Sequence, residues 1–368
     1  TFADGKEFDS IYFPVALTQQ IDVIDKIIVF LTNEAEVQHG KEFKKHLSEY
    51  GKGHLPIEEV KIPIGKSEGE LWLLFERISK AINGEIIVDI THGLRHFQIL
   101  TILCLSYLYF STELKIQGVY YAAFDIGQDI KLDNEGSEEK KTIRITPVFE
   151  LSPYLSLLSW IEGVNAFNRY GDAGVLGNFL KEMHKTKELT SQHTNETMQK
   201  LGDMLEKLSQ ALMVSRADEV IERLNILSED IASIKDQIET ELALGAKPFG
   251  LVAEKVIDDY LTIITANDKL QKRLLLVEWY LNRNHIPQAL TLLRETIVSR
   301  MIFELDGTLD KEKDKEIRSQ AETWLRIHEN KGSAIGVEWR KIRILRNDVA
   351  HCGFDDKANN ARDLVAES

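Results

Sequence analysis

Short apolar runs along the first third of the chain alternate with longer amphipathic segments. The apolar runs lie at residues 25–32, 56–63, 85–90 and 116–124. Runs of this length between helix-length segments are typical of parallel βαβ units, in which each helix returns the chain to the same edge of a sheet. The pattern therefore predicts an α/β fold with a doubly wound parallel sheet.

The segments between these runs carry helix signals. Helices are predicted at residues 34–50, at residues 67–82 and in an apolar stretch that ends near residue 110. Ser67 and Glu70 make a capping box that opens the second of these helices. Residues 127–141 are charged and contain glycine, which predicts a hairpin excursion, and residues 142–148 are expected to form an edge strand.

Strand signals stop after Pro153, and helical periodicity continues to the end. Residues 187–244 combine spaced apolar positions with an excess of acid, as expected of a solvated helical connector. The GAKP sequence at residues 245–248 interrupts this pattern before helices resume. The later helices are predicted at residues 251–264, 269–282, 286–305, 315–330 and 337–350. We therefore predict three parts: an α/β domain (1–150), a helical connector (151–244) and an all-α domain (245–368).

Composition bounds the function. The formal net charge of −14 argues against non-specific binding along nucleic acid. The excess acid lies before residue 245, however, and Arg340, Lys341, Arg343 and Arg346 form a local basic cluster. Charge alone favours a solvated helix face for that cluster.

Two cysteines cannot make a disulfide framework, so we expect a reducing, cytoplasmic location. The longest apolar run, at residues 97–110, is shorter than the roughly 20 residues that a membrane helix needs, so we predict no membrane span.

Three apparent motifs fail on inspection. Residues 65–67 (GKS) resemble the end of a phosphate loop, but Val60 stands where that loop needs glycine. His92 and His96 have the spacing of a helical metal pair, yet glycine rather than glutamate follows the first histidine. Cys352 beside His351 lacks an orienting group for a thiol nucleophile. We therefore predict neither a metal site nor a cofactor.

One candidate site leaves a buried strand and enters a helix, at residues 89–95 (DITHGLR). Ligands of open parallel sheets bind beyond the carboxyl ends of the strands. Thr91 and His92 offer hydrogen-bond donors there, Gly93 allows close backbone approach, and Arg95 in the first helical turn can pair with phosphate.

Thr32 and Asn33 follow the first visible strand and supply a second loop at the same edge. The candidate ligand contacts are thus Thr32, Asn33, Thr91, His92, Gly93 and Arg95. On these residues alone, a ligand site and a plain helix cap beside a surface arginine both stay open.

The other candidate site is residues 346–351 (RNDVAH). Five residues of helix leave Arg346 and His351 about 140° apart, so they do not share one face. They converge only if the helix begins or distorts there, or if a second protomer contributes. An arginine and a histidine at this spacing also arise often by chance.

Residues 89–95 resemble the signature of CARF domains, the Rossmann-like ligand sensors of CRISPR systems. The resemblance continues at residues 63–65, 70–72, 119–121 and 146–151, at Trp160 and Phe167, and at residues 171–172, and covers most of residues 11–180. Residues 346–351 resemble the catalytic motif of HEPN ribonucleases, with Asn347 in the usual second place. The chain is thus similar to CARF–HEPN ribonucleases ancillary to type III CRISPR systems.

This resemblance implies a cytoplasmic homodimer or higher oligomer that binds a cyclic oligoadenylate across paired CARF domains, and we favour four adenylates over six. It implies metal-independent cleavage of single-stranded RNA, in which Arg346 stabilises the phosphorane, His351 acts as general acid or base, and Asn347 orients the phosphate or His351. The basic cluster would then guide RNA.

Two alternatives stay open. The α/β domain could itself degrade the cyclic ligand, with Thr91 or His92 positioning the phosphate. The chain could instead be a non-catalytic, ligand-controlled regulator, although it shows no clear recognition helix. Relatives with this resemblance usually begin with a further strand and a glycine-containing loop, which leads us to expect that an N-terminal strand is missing here.

Overall fold

A computed structural model describes residue 2 and residues 5–132, 141–183, 192–240, 258–354 and 359–367. The chain divides into two compact units, Thr1–Ser156 and Leu157–Ser368. The first boundary predicted from sequence, after residue 150, lies near this division. The second, between residues 244 and 245, lies outside the described residues. None of the described helices is long and apolar enough to cross a membrane.

The first unit alternates strands and helices as its sequence predicts. Its helices are α1 (Phe13–Gln20), α2 (Asn33–Glu49), α3 (Glu68–Ala81) and α4 (Arg95–Ser111). Its strands are β1 (Ile27–Leu31), β2 (Ile57–Lys61), β3 (Glu85–Asp89), β4 (Lys115–Ala122), β5 (Gln128–Leu132), β6 (Lys141–Ile145) and β7 (Val148–Glu150). The mixed α/β class and the small N-terminal parallel sheet are therefore confirmed.

The sheet is less continuous than a doubly wound fold requires. β1 pairs with β2 in parallel, and β3 pairs with β4 in parallel. In the described part of the chain these two ladders share no strand pairing. Instead of one sheet of parallel strands, the unit has a two-stranded ladder and a three-stranded ladder that β7 completes in antiparallel orientation.

The segment after β4 forms the predicted hairpin, because β5 and β6 pair in antiparallel orientation. The edge strand predicted at residues 142–148 is wrong as a single element. Its first part is β6, and residues 146–147 lie outside the strands before β7 begins at Val148. Pro147 has no backbone N–H to give to a ladder, which accounts for the break.

The helices of the first unit pack in two pairs. α1 packs with α2, whereas α3 packs with α4. One apolar cluster joins Ile62 to Leu74 and Ile78 of α3 and to Cys104 of α4. A second cluster places Leu105 and Leu108 of α4 against Val119 of β4. The inner side of α4 is thus fixed by two cores, which holds its N-terminus at the end of β3.

The second unit is helical wherever it is described. Its helices are α5 (Ser152–Tyr170), which crosses the division between the units, α6 (Gly174–Met183), α7 (Gln192–Met213), α8 (Ala217–Thr240), α9 (Leu261–Thr265), α10 (Lys269–Asn282), α11 (Ile286–Asp306), α12 (Lys315–Asn330), α13 (Ala334–Ala350) and α14 (Ala361–Glu367). A large core joins α5–α8 to Tyr260 and to α10 and α11, and a smaller one joins α11, α12 and Trp339 of α13.

The helices α7 and α8 lie in the segment that the sequence indicates is a solvated connector. They also contribute to the largest core, because Leu201, Leu205 and Leu208 of α7 are fully buried and pack in one cluster with Leu276 of α10. The four-residue spacing of Leu201 and Leu205 places both on one face of α7. That apolar face packs inward, and the acidic face is the solvated one.

A buried ion-pair network ties α8 to the helices that follow it. The guanidinium of Arg273 on α10 donates to Asp218 Oδ1 (2.6 Å), to Glu312 Oε2 (2.8 Å) and to Ser299 Oγ (3.2 Å). Lys269 Nζ donates to Glu312 Oε1 at 2.6 Å. Burial acts to raise the pKa of Glu312, but the hydrogen bonds from Arg273 and Lys269 outweigh it and lower that pKa to about 2. The carboxylate is therefore held in its charged form.

Candidate functional site

The 89–95 segment begins where β3 ends and is anchored to β4. Ile90 N donates to Tyr120 O at 3.0 Å, and Ala122 N donates to the hydroxyl of Thr91 at 2.8 Å. Gln98 of α4 donates to Ile90 O at 2.8 Å from the other side. Three bonds from two elements thus fix the backbone and the Thr91 side chain before any ligand arrives.

Asp89 stabilises the first turn of this segment. Its carboxylate accepts from Thr91 N at 2.7 Å. Burial raises the pKa of Asp89, against the hydrogen bonds from Thr91 and the charge of the nearby His92, both of which act to lower it. Burial thus disfavours the charged form of Asp89, while the same carboxylate fixes the backbone of Thr91 through its hydrogen bond.

The start of α4 has the features of an anion site. Gly93 has φ +120, a backbone conformation that residues with a side chain rarely adopt. Leu94, the next residue, is the N-cap of α4. Within the part of the chain that the structure describes, no side chain caps α4, and its first turn holds no acidic residue. His92 and Arg95 are exposed and have no hydrogen-bond or ion-pair partner among the described residues. The positive end of the helix dipole and an available guanidinium together favour phosphate.

Thr32 and Asn33 occupy a different kind of junction. Thr32 is the N-cap of α2, and its hydroxyl accepts from Ala35 N at 3.2 Å. Asn33 is the first residue of that helix, whose first turn carries Glu34 and Glu36. Within the described residues, no hydrogen bond joins Thr32 or Asn33 to the 89–95 segment. This helix start is already capped and acidic, so it is less suited to an anion than the start of α4.

Sequence reasoning missed a third contributor, the loop after β2. The ring of His96, in the first turn of α4, meets Ile64 O at 2.8 Å. A Cβ on Gly65 would lie 2.9 Å from that ring, so this position needs glycine for the close approach as well as for its φ of +82. The Glu70 carboxylate accepts from Gly65 N (2.9 Å) and Lys66 N (2.8 Å). The Ser67–Glu70 signal was visible in the sequence, but its glutamate fixes the preceding loop instead of the cap residue.

The second candidate site lies at the end of α13. The helix is regular through Ala350, and His351 is its C-cap, so no distortion brings Arg346 and His351 together. Cys352 (φ +54) and Gly353 (φ +71) then reverse the chain. Among the described residues, no hydrogen bond joins the side chains of Arg346 and His351. The two side chains continue different faces of α13, as the angle of about 140° between them predicts.

Arg346 continues the buried face. It lies seven residues after Trp339, which is 2% exposed. Arg346 is half-buried, its Nη1 donates weakly to Asn347 Oδ1 at 3.4 Å, and its Nε is buried without a hydrogen-bond partner in the described part of the chain. An unsatisfied N–H of a half-buried guanidinium is costly unless a further group approaches it. Asn347 thus already contacts the guanidinium that the motif pairs it with.

His351 continues an exposed face. Val337, Ile344 and His351 follow one another at seven-residue intervals, and Val337 and Ile344 are 42% and 47% exposed. Residues at this spacing drift by only about 20° per step, so the three lie in one stripe along α13.

The basic cluster is more neutral than its sequence indicates. Glu329, from α12, lies 2.8 Å from Arg343 and 3.9 Å from Arg340, and Lys341 pairs with Glu338 at 3.0 Å. Of the four basic residues, Arg346 alone has no carboxylate partner among the described residues. The charge available to a phosphate is therefore concentrated at the motif arginine.

The described residues contain no group of three or more His, Cys, Asp or Glu side chains placed to hold a metal ion. His96, one half of the rejected histidine pair, is engaged with the Ile64 carbonyl. Cys352 is exposed and free.

Comparisons with known proteins point in one direction. Residues 156–262 match the family model for the second domain of CRISPR-associated protein MJ1674. The matched segment begins at the division between the two units and includes most of the predicted connector. The curated CRISPR-associated protein MJ1674 of Methanocaldococcus jannaschii is 20% identical over 309 residues. That alignment covers 81% of this chain and 43% of the relative, so the chain spans less than half of the relative's length. These comparisons support a CRISPR-associated protein.

Proposed function

We propose that this chain acts in type III CRISPR defence as an endoribonuclease that a cyclic oligoadenylate activates. The observation that carries the proposal is the start of α4, where Gly93 and Arg95 lie beside a fixed Thr91 and where, among the described residues, no side chain caps the helix or pairs with Arg95. These features favour phosphate. A cyclic oligoadenylate offers one phosphate per nucleotide. The similarity to a CRISPR-associated protein gives that ligand class its context.

The end of α13 supplies the groups for RNA cleavage. The 2′-hydroxyl of the RNA loses its proton to a base and attacks the adjacent phosphorus. The new O2′–P bond forms while the P–O5′ bond breaks, which leaves a 2′,3′-cyclic phosphate and a 5′-hydroxyl that has gained a proton. His351 serves as general acid or base. Arg346, whose Nε is unsatisfied, stabilises the charge on the phosphorane, and Asn347 holds that guanidinium or the phosphate.

The separation of Arg346 from His351 requires a second protomer. A two-fold axis beside the stripe of Val337, Ile344 and His351 would cover its exposed apolar residues and bring both copies of His351 and of Arg346 to one cleft. The proposed active form is therefore a symmetric dimer that cleaves single-stranded RNA between paired helical units.

Labelled single-stranded RNA incubated with the full chain tests this function. We expect cleavage with cyclic tetra-adenylate or cyclic hexa-adenylate, and little without either. Products should end in a 2′,3′-cyclic phosphate, and cleavage should persist in EDTA because the 2′-hydroxyl supplies the nucleophile. Loss of cleavage in EDTA that magnesium restores would refute this chemistry.

Chromatography of the adenylate ring from the same incubations separates the alternatives. Linear adenylates without RNA cleavage would identify a ring-degrading enzyme. An intact, bound ring without RNA cleavage would identify a regulator. The hydroxyl of Thr91 accepts a hydrogen bond from Ala122 N, so it is already engaged in the fold, and we favour the ribonuclease.

A further inference from the structure

An exposed phenylalanine follows β4 at the edge of the sheet that carries the 89–95 segment. The strands β3 and β4 are parallel neighbours, so their carboxyl ends lie side by side. Ala122, the last residue of β4, donates to the hydroxyl of Thr91, and the chain then enters a 3₁₀ turn at Phe124–Ile126. Phe124 thus lies only two residues, at most about 7 Å of chain, beyond that bond.

Hydrogen bonds tie this turn to the hairpin that follows it. Phe124 O accepts from Gly127 N at 3.0 Å and from Arg144 Nε at 3.1 Å. A Cβ on Gly127 would lie 3.0 Å from that nitrogen, a tight contact, so glycine at this position leaves room for the arginine. The backbone is therefore fixed, although the ring of Phe124 is 61% exposed.

One face of the Phe124 ring is already stacked. The guanidinium of Arg144 lies 4.6 Å from the ring centroid. Nη1 of Arg144 also lies 3.5 Å from the carboxylate of Asp129, so its charge is paired within the hairpin. Among the described residues no other ring or cation packs against Phe124, which leaves its second face open to a further planar group.

The exposed area suits a single base and is too small for a protein partner. Within the described part of this turn and hairpin, the exposed large apolar residues are Phe124, Ile126 and Ile130, at 61%, 62% and 40%. Large side chains carry about 200 Å² each, so these three leave about 330 Å² uncovered. A standard protein interface buries about 800 Å² on each side. A nucleobase needs only one aromatic face, and every base can stack on one.

Charge separates this turn from the start of α4. Asp125, next to Phe124, is exposed and has no hydrogen-bond or ion-pair partner among the described residues. Its carboxylate repels a phosphate, whereas the start of α4 offers Arg95 and the positive end of a helix dipole. A nucleotide can therefore lie with its phosphate at α4 and its neutral base over Phe124.

We propose that Phe124 is the stacking platform for an adenine base of the ligand whose phosphate lies at the start of α4. The base covers the free face of the ring, so that adenine, phenyl ring and the Arg144 guanidinium form one stack. The site then recognises a nucleotide through two separate elements, Arg95 for the charge and Phe124 for the flat base. This inference deepens the proposed function and, for the identity of the ligand, rests on it.

Binding of labelled cyclic tetra-adenylate to the full chain tests the stack. Phe124→Ala should weaken binding by about 5- to 100-fold, because it removes a base–aromatic stack. Phe124→Leu keeps apolar bulk without a ring and should weaken binding nearly as much, whereas Phe124→Trp should bind within about twofold of wild type. Phe124 is more than half exposed, so the fold should persist in all three variants, as melting by circular dichroism will show.

Phe303→Ala is the matched control. Phe303 is 40% exposed and lies under the guanidinium of Arg300, 5.6 Å from the ring centroid, but it belongs to the second unit. Its loss should leave ring affinity unchanged.

Salt separates the base contact from the phosphate contact. The fold-loss caused by Phe124→Ala should be the same at low and high salt, because stacking is not ionic, whereas the loss caused by Arg95→Ala should shrink as salt is added. A Phe124→Ala loss that shrinks in the same way overturns the stack.

Two further results overturn the platform while the proposed function stands. One is ring binding by Phe124→Ala as tight as that of wild type, and the other is wild-type affinity in Phe124→Leu, which would show an apolar contact without stacking. If wild type binds no adenylate ring, the proposed function is refuted, and the fluorescence of Phe124→Trp decides the platform. Quenching by adenosine monophosphate beyond that of wild type then supports an adenine platform, and equal quenching refutes it.

Discussion

The two candidate sites differ in how far one chain completes them. At the start of α4, backbone bonds from β4, a carboxylate under the loop and a side chain from α4 fix the 89–95 segment from several directions. At the end of α13, Arg346 lies half-buried with an unsatisfied Nε, and His351 lies exposed on another face. The first candidate site is held in one arrangement by contacts within a single chain, whereas the second consists of separated parts.

Under the proposed function, this difference indicates how RNA cleavage can depend on ligand binding. A preorganised site binds its ligand without a large local rearrangement. The free energy of binding can then favour one arrangement of the protomers over another. A site with separated parts has little activity until that arrangement is populated. In the proposed function, in which the first unit senses and the second cleaves, a rigid first site and an incomplete second one would couple cleavage to ligand binding.

The largest expected effect is at the incomplete site. Arg346→Ala and His351→Ala should each lower the rate of RNA cleavage by about 10³-fold, because each removes a group that acts on the transition state. Binding of labelled cyclic tetra-adenylate should stay within about twofold of wild type, since those residues lie in the other unit. Gel analysis of RNA products and a filter-binding titration measure the two quantities.

Arg340→Ala is the matched control, because Arg340 lies on the same helix but is exposed beside Glu329. It should change the cleavage rate by no more than a few-fold. If His351→Ala cleaves like the wild type, the assignment of residues 346–351 is wrong and the contrast between the two sites disappears.

Arg95→Ala should act in the opposite way. A charge-assisted hydrogen bond contributes about 1.5–3 kcal/mol, and a two-fold site loses it twice, so ring affinity should fall at least about 100-fold. Cleavage at saturating ligand should remain. Lys80→Ala, on the exposed part of α3 and paired with Glu76, is the control. Normal activation of Arg95→Ala would show that the start of α4 is only a helix end.

Periodicity predicted the first unit well where local signals decide structure. The alternation of apolar runs and helical segments gave β1–β4 and α2–α4, and the motif at residues 89–95 fell at the predicted junction of β3 and α4. The contact between His96 and Ile64 O was not predictable, because it joins residues 32 positions apart. Whether the β1–β2 and β3–β4 ladders join into one sheet also depends on contacts between residues far apart in the sequence. The prediction of a single sheet was wrong.

The second unit shows a different limit. The last long helix, predicted to begin at residue 337, begins at Ala334, because the hydroxyl of Ser333 caps it by accepting from Gly336 N. The excess of acid in α7 and α8 favoured a solvated connector, yet Leu201, Leu205 and Leu208 lie in the largest core. Net charge describes the outer face of a helix and says little about a narrow apolar face. The ion pair between Glu329 and Arg343 was not predicted either, because the two residues lie on different helices.

Loss of an ion pair in the second unit should lower the stability of that unit and leave ligand binding by the first unit unchanged. This effect is smaller than those at the two candidate sites. Glu312→Gln leaves Arg273 buried with one charged partner fewer, so the free energy of unfolding of the second unit should fall by about 3 kcal/mol. Glu304→Gln, in an exposed pair with Arg300, should cost less than about 1 kcal/mol. Ring binding by the first unit should be unchanged in both variants.

The pH dependence of this loss has a definite sign. The pKa of Glu312 is lowered from 4.5 to about 2, so its charge contributes stability above pH 4.5 that is lost as the pH falls towards 2. Denaturant titrations should therefore show the gap between wild type and Glu312→Gln narrowing across that range. A gap that is constant with pH would show that packing, and not charge, explains the loss.

The smallest effect should come from Asp89, beneath the preorganised loop. Burial raises the pKa of this carboxylate, so its charged form destabilises the fold at neutral pH. Asp89→Asn removes the charge while its amide oxygen can still accept from Thr91 N, and the melting temperature at pH 7 should rise by about 2–4 °C. The raised pKa means that the folded state favours the protonated acid over the carboxylate. The difference in melting temperature between Asp89→Asn and wild type should therefore shrink as the pH falls through that pKa.

Asp89→Ala, which also removes the acceptor, should release Thr91 and weaken ring binding more than Asp89→Asn does. Equal ring affinities for the two variants, measured with the same labelled ligand, would show that the bond from Thr91 N to Asp89 does not organise the site.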